Sequence, residues 1–244
     1  MKLTILFLLI SMFTFAQDSK VYELRIYHCH PDRLEALKTR FHDHTTRIFE
    51  KHGMENVGYW IPTAEGNNDL VYILGYPSME ARNESWKAFG SDPEWKKVAE
   101  ESQIDGKIVA SVESTFLKLE PELTKKIASK TISPDRLFEL RTYYCFPDRF
   151  PNIVARFRDH TRKLFKNAGM TNIAYWSTIE KGEEQSKLVY IIAHKNEDAA
   201  KVSWDTFRAD PKWIAAKTAS EESGKIVEKV TSTYMKPLSF SKIK

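Results

Sequence analysis

Across residues 22–27 apolar and polar positions alternate. Tyr22, Leu24 and Ile26 fall on one face, and Glu23, Arg25 and Tyr27 on the other. A period of two is that of a strand with one buried face. Pro31-Asp32 then opens a stretch in which Leu34, Leu37, Phe41, His44 and Ile48 recur at spacings of three and four, one stripe of a helix. The helix is expected to run to about His52, with Gly53 as its stop. Two further strands are read at residues 56–61 and 70–76, with a turn between them. A helix follows from Ser78 to about Phe89. Asp92-Pro93 caps a short helix through Trp95, and residues 107–117 form the last strand. The order β-α-β-β-α-β is the ferredoxin-like split unit.

The whole pattern then occurs a second time. Tyr22-Glu-Leu-Arg-Ile-Tyr27 returns as Phe138-Glu-Leu-Arg-Thr-Tyr143, and Asp43-His-Thr45 as Asp159-His-Thr161. Tyr59-Trp60 returns as Tyr175-Trp176, and Asp92-Pro-Glu-Trp95 as Asp210-Pro-Lys-Trp213. All six Trp fall into matching pairs, which marks a tandem duplication. The chain divides into residues 1–16, a targeting segment; 17–119, the first module; 120–136, a polar, Lys-rich linker; and 137–240, the second module. A split unit covers only one face of its sheet with helices, so the other face needs a partner. The expected fold is therefore α+β, two tandem ferredoxin-like modules whose open sheet faces close one barrel within the chain. The Glu–Arg pair, repeated as Glu139 and Arg141, suggests a polar, paired barrel interior.

Composition adds limits. With 37 basic and 33 acidic residues spread along the chain, no basic run suited to nucleic acid stands out. Lys2 and the apolar residues 3–15, ending in Thr14-Phe15-Ala16, read as a signal peptide cut after Ala16. The run is too short for a permanent transmembrane helix, and no stable membrane anchor is expected once it is removed. The mature chain would start at Gln17 and be periplasmic or secreted. Cys29 and Cys145 occupy matching positions and could pair only near the pseudo-symmetry axis; two separate thiols are the expectation.

The candidate chemistry centres on His44 and His160. Of the seven histidines, only this pair occurs in both copies, and each falls in the middle of the helix stripe. Buried there, an imidazole serves either as a structural hydrogen-bonding group or as a pocket acid/base. Around it, Arg25, Tyr27, Tyr59, Trp60, Tyr72 and Trp86 are candidate pocket residues, with Arg141, Tyr143, Tyr175, Trp176, Tyr190 and Trp204 in the second copy. Core filling is the other reading of each aromatic. His28 and His30 share a face near a strand end, but His42 and His44 diverge on their helix, and no Cys or acidic set completes a site in both copies, so no metal site is expected. No Walker loop, dinucleotide fingerprint or nucleophile elbow is present, and no cofactor is expected. The first copy, richer in His, is expected to be the more active one.

These signatures, namely residues 22–27, Asp43-His44, Gly58-Tyr59-Trp60, Asp92-Pro-Glu-Trp95 and their repeats, resemble the NIPSNAP family. The resemblance spans essentially the whole mature chain. It implies the dimeric α/β-barrel superfamily, which includes cofactor-independent monooxygenases, isomerases and haem-using relatives. It implies no settled reaction, and an export signal departs from the mitochondrial setting of better-known members. The expected function is binding of a small, partly apolar organic molecule in a sheet–helix pocket. The alternatives are a cofactor-independent monooxygenase or isomerase using a pocket His, and a non-catalytic interaction module. A homo-oligomer is compatible with each.

Overall fold

A computed structural model describes residues 20–128, 136–182 and 184–244. The expected signal segment, residues 1–16, lies outside them. The first module comprises β1 (Val21–Cys29), α1 (Leu34–Arg40), a π-helical turn (Phe41–Thr45), α2 (Thr46–Lys51), β2 (Glu55–Pro62), β3 (Asp69–Tyr76), α3 (Met79–Ser91), α4 (Pro93–Glu101) and β4 (Val109–Leu119). The second repeats it as β5 (Leu137–Cys145), α5 (Phe150–Arg156), a π-helical turn (Phe157–Thr161), α6 (Arg162–Asn167), β6 (Thr171–Thr178), β7 (Leu188–His194), α7 (Glu197–Ala209), α8 (Pro211–Ser220) and β8 (Val227–Pro237). Local chemistry sets the helix ends. Ser78 and Asn196 accept from the Ala81 and Ala199 amides, at 3.2 and 2.9 Å. Asp92 and Asp210 cap the helices that Pro93 and Pro211 open. Gly53 and Gly169 take positive φ, 77° and 93°, where the first helical rod of each module stops.

All eight strands close one antiparallel barrel in the order β1-β3-β2-β8-β5-β7-β6-β4. The modules join at β2–β8 and β4–β6. The apolar face of each first strand points into the barrel. Tyr22 and Leu24 meet Phe138, Leu140, Trp60 and Trp176 there, in a core drawn from both halves. Tyr22 packs edge-on to Trp176 at 6.2 Å, and Phe138 mirrors it against Trp60 at 5.9 Å. This corrects the expectation of a polar interior. Glu23, Arg25, Glu139 and Arg141 sit on the opposite face, under the helices. Two apolar sheets offer a buried carboxylate no donors, whereas α3 and α7 supply them.

Each module is sealed by a segment beyond its own boundary. After β4, the chain crosses to the second module. Glu120 donates its amide to the Tyr175 carbonyl at 3.0 Å, and Thr124 accepts from the Tyr175 amide at 2.8 Å. After β8, the tail does the same for the first module. Leu238 bonds the Tyr59 carbonyl at 3.0 Å, and Ser241 accepts from the Tyr59 amide at 3.0 Å. Residues 120–124 are therefore packed structure rather than spacer. Ser241 and Ile243, beyond the expected boundary at 240, are buried. Cys29 and Cys145 are free, buried thiols, which burial pushes up to about 11. Among the described residues, no helix is long and apolar enough to cross a membrane.

Candidate functional site

Under α3, one fully buried carboxylate organises the first module. Glu23 Oε1 accepts from Arg25 at 2.5 Å, Arg82 Nη2 at 2.8 Å and Ser114 at 2.6 Å. Its Oε2 accepts from Arg82 Nε at 3.0 Å, Trp86 at 3.2 Å and Tyr76 at 3.2 Å. Burial alone would raise its pKa. The bonds from Arg82 and Ser114 and the charge of Arg25 outweigh that and hold it at about 2. Arg25 also donates to the Tyr72 hydroxyl at 3.0 Å and lies 4.5 Å from the Trp86 ring. Arg25, Tyr27, Tyr72 and Trp86 thus lie together under α3.

In the second module the same carboxylate has a different escort. Glu139 Oε1 accepts from Arg141 and Ser232, both at 2.6 Å. Its Oε2 meets Trp204 Nε1 at 2.8 Å and His194 Nε2 at 3.1 Å. It too is held at about 2, with the bonds from His194 and Ser232 and the charge of Arg141 overcoming burial. Two substitutions account for the difference. His194 stands at the register position of Tyr76, and Ala200 stands one helical turn into α7, where α3 carries Arg82. The Nδ1 of His194 is buried without a partner.

Ala200 leaves a recess of about 460 Å³ between α7 and the barrel strands. Leu137, Ala200, Trp204 and Tyr234 form its inner wall, Glu197, Lys201 and Arg208 its rim on α7, and Thr63 reaches in from the first module. The Thr63 amide bonds the Tyr234 carbonyl at 2.9 Å, so the two halves of the barrel fix this wall together. Burial and the nearby Glu139 raise the pKa of Tyr234, keeping its hydroxyl protonated at neutral pH. In the first module Arg82 covers the Glu23 carboxylate, with its guanidinium 5.6 Å from Trp86 and 5.2 Å from Phe116.

Several expected site residues lie elsewhere. His44 and His160 are exposed. The π-helical turn inserts one residue into the rod, so Thr45 and Thr161 take the seam instead, each 1% exposed. Their hydroxyls donate to the Arg40 and Arg156 carbonyls at 3.0 and 3.1 Å. Trp60 and Trp176 face the barrel interior, since strand alternation turns them away from Tyr59 and Tyr175. Tyr59 stacks on Tyr72, and Tyr175 on Tyr190, as core filling under the helices. Tyr143 packs against Tyr190, beside Arg141. Among the described residues, no group of three His, Cys, Asp or Glu could hold a metal.

The NIPSNAP family profile matches residues 22–122 and again 138–242. The chain belongs to the NIPSNAP family. A NIPSNAP-like domain protein from Burkholderia xenovorans is 20% identical over 42% of this chain and 86% of its own, with a TM-score of 0.38. A proposed monooxygenase from Fusobacterium nucleatum aligns over 90% of this NIPSNAP chain and 93% of its own, at 9% identity and a TM-score of 0.60. One from Lactobacillus acidophilus aligns over 90% and 94%, at 11% identity and a TM-score of 0.53. At these identities the likeness shows the fold alone. No curated protein matches the chain.

Sequence reasoning on this NIPSNAP chain missed Ala200, His194 and Tyr234. The signal was present in the repeat. These are positions where the second copy departs from Arg82, Tyr76 and Phe116. A search for histidines shared by both copies passes over a recess made by divergence.

Proposed function

We propose that this protein binds a small, partly apolar organic molecule in the recess between α7 and the barrel strands of the second module. One observation carries the reading. Ala200 replaces the arginine that covers the carboxylate in the first module, and the space it leaves has Leu137, Trp204 and Tyr234 on its wall and Thr63, Glu197, Lys201 and Arg208 around them, an apolar floor with an equal share of polar groups. The asymmetry runs opposite to the expectation that the His-rich first copy is the more active. The test is a thermal-shift screen of small aromatic and heteroaromatic compounds on the mature chain and on Ala200→Arg. Compounds that stabilise the wild type should lose their effect on a folded Ala200→Arg variant. Hits retained by that variant would overturn the reading.

A second reading, a cofactor-independent monooxygenase or isomerase, gains support from His194 rather than from His44 or His160. Its ring lies 6.2 Å from Tyr234 and 6.4 Å from Trp204, both recess residues, and its Nδ1 is unpartnered. On that reading, His194→Gln abolishes turnover of a bound compound and spares its binding. Export belongs to the same proposal. The native protein should begin at Gln17, and an intact Met1 by mass analysis would refute it.

A further inference from the structure

We propose that the second-module recess is a receptor for a flat organic cation, a guanidinium or amidinium carried on an apolar stem, with Glu139 as its counter-ion. This rests on the reading of the recess as a binding site and names what it selects. The first module supplies the pattern. There Arg82 places one donor on each oxygen of Glu23, Nη2 on Oε1 at 2.8 Å and Nε on Oε2 at 3.0 Å. This fork is the geometry by which guanidinium recognises carboxylate. The same guanidinium lies 5.6 Å from the Trp86 ring and 5.2 Å from the Phe116 ring, on a stem that comes from α3.

The second module keeps the carboxylate and the indole that meet that guanidinium, while Lys201 stands where Asn83 accepts from Arg82 Nη1 at 3.3 Å. Glu139 matches Glu23, Trp204 matches Trp86, and Tyr234 stands at the register position of Phe116. Each Glu139 oxygen receives two donors where each Glu23 oxygen receives three, and the donor missing from each is the one Arg82 provides. Charge follows the same count. Glu23 sits with two guanidiniums, whereas Glu139 sits with one and the His194 imidazole, so the first module is the precedent for a second guanidinium at this carboxylate. The Tyr234 hydroxyl adds a polar group to the wall that Phe116 lacks.

The rim carries Lys201 and Arg208 as well as Glu197. Arg208 is paired with Asp205 at 2.6 Å, and both side chains are about three-fifths exposed, so solvent screens their field. Glu139 is itself fully covered. A head group therefore reaches it only when a covering side chain moves, and Trp204, which lines the recess and donates to Glu139 at 2.8 Å, is where binding should register.

The experiment titrates the mature chain with benzamidinium, with the neutral isostere benzamide and with benzoate, by calorimetry. Benzamidinium should bind about tenfold or more tightly than either. Ala200→Arg should abolish that binding, and Glu139→Gln should weaken it about tenfold or more. Benzamide or benzoate binding as well as benzamidinium would overturn the cation inference and leave the recess standing as a site. Benzamidinium binding unchanged in Ala200→Arg would overturn both. Should Glu139→Gln fail to fold, Arg82→Ala in the first module gives an independent readout. Millimolar methylguanidinium should restore its lost thermal stability and methylurea should not; equal restoration by both, or by neither, would contradict the proposal.

Discussion

Glu23 and Glu139 hold their charge although solvent reaches neither, and the cause is the number of donors aimed at each oxygen. Their pKa is depressed from 4.5 to about 2. A depressed folded-state value stabilises the fold fully above the unfolded-state value and loses that stabilisation as pH falls through the folded one. The protein should therefore lose stability between about pH 4.5 and 2, by roughly 3 kcal/mol for each carboxylate. Urea midpoints measured across this range check it, and a flat profile would contradict it. Glu23→Gln should flatten part of that limb at the cost of lower stability at neutral pH. The two seam histidines teach the opposite lesson. Residue spacing placed them correctly for an uninterrupted α-helix, and the inserted residue of the π-turn moved them to solvent. His44→Ala and His160→Ala should each change stability by less than about 0.5 kcal/mol and leave ligand binding intact. A loss of binding in either would revive their role.

At the scale of elements, the strands and helices were legible because alternation, capping residues and turn glycines agree locally with the fold. The exceptions were one feature decided by contacts distant in sequence and one local feature that residue spacing does not reveal. The side of β1 that faces the barrel was one. A polar face reads the same in a sequence whether it meets solvent, a barrel interior or the donors of a helix that follows about sixty residues later. The π-turn was another. It is held by Thr45 and Thr161, whose hydroxyls back-bond the carbonyls of Arg40 and Arg156. Thr45→Val keeps the volume and removes that bond, so it should cost about 1 kcal/mol by denaturant titration. The C-terminal tail behaves as an element of the first module. Removing residues 238–244 strips the partners of the Tyr59 backbone and the buried Ser241 and Ile243. Hydrogen exchange should then quicken at β2 far more than at β6. Equal protection at both strands would show the tail to be dispensable.

For the whole molecule, duplication within one chain does what a pair of chains would otherwise do, and it frees the two modules to diverge. The closed barrel was legible from the repeat together with the uncovered sheet face. The recess of the second module was not, because it comes from one small residue among many changed ones. Residues 18–120 alone would expose Tyr22, Leu24, Trp60, Val71 and Ile73, which the second half now covers. That fragment should be insoluble or should dimerise, and a soluble monomer would contradict the shared core. The indole N–H signals of the six Trp, followed by NMR as benzamidinium is added to the mature protein, test the site most directly. The Trp204 signal should shift in a saturable way while that of Trp86, beside a Glu23 already paired with Arg82, stays in place. A shift confined to Trp86, or equal shifts at both, would contradict a binding site built by divergence of the second module.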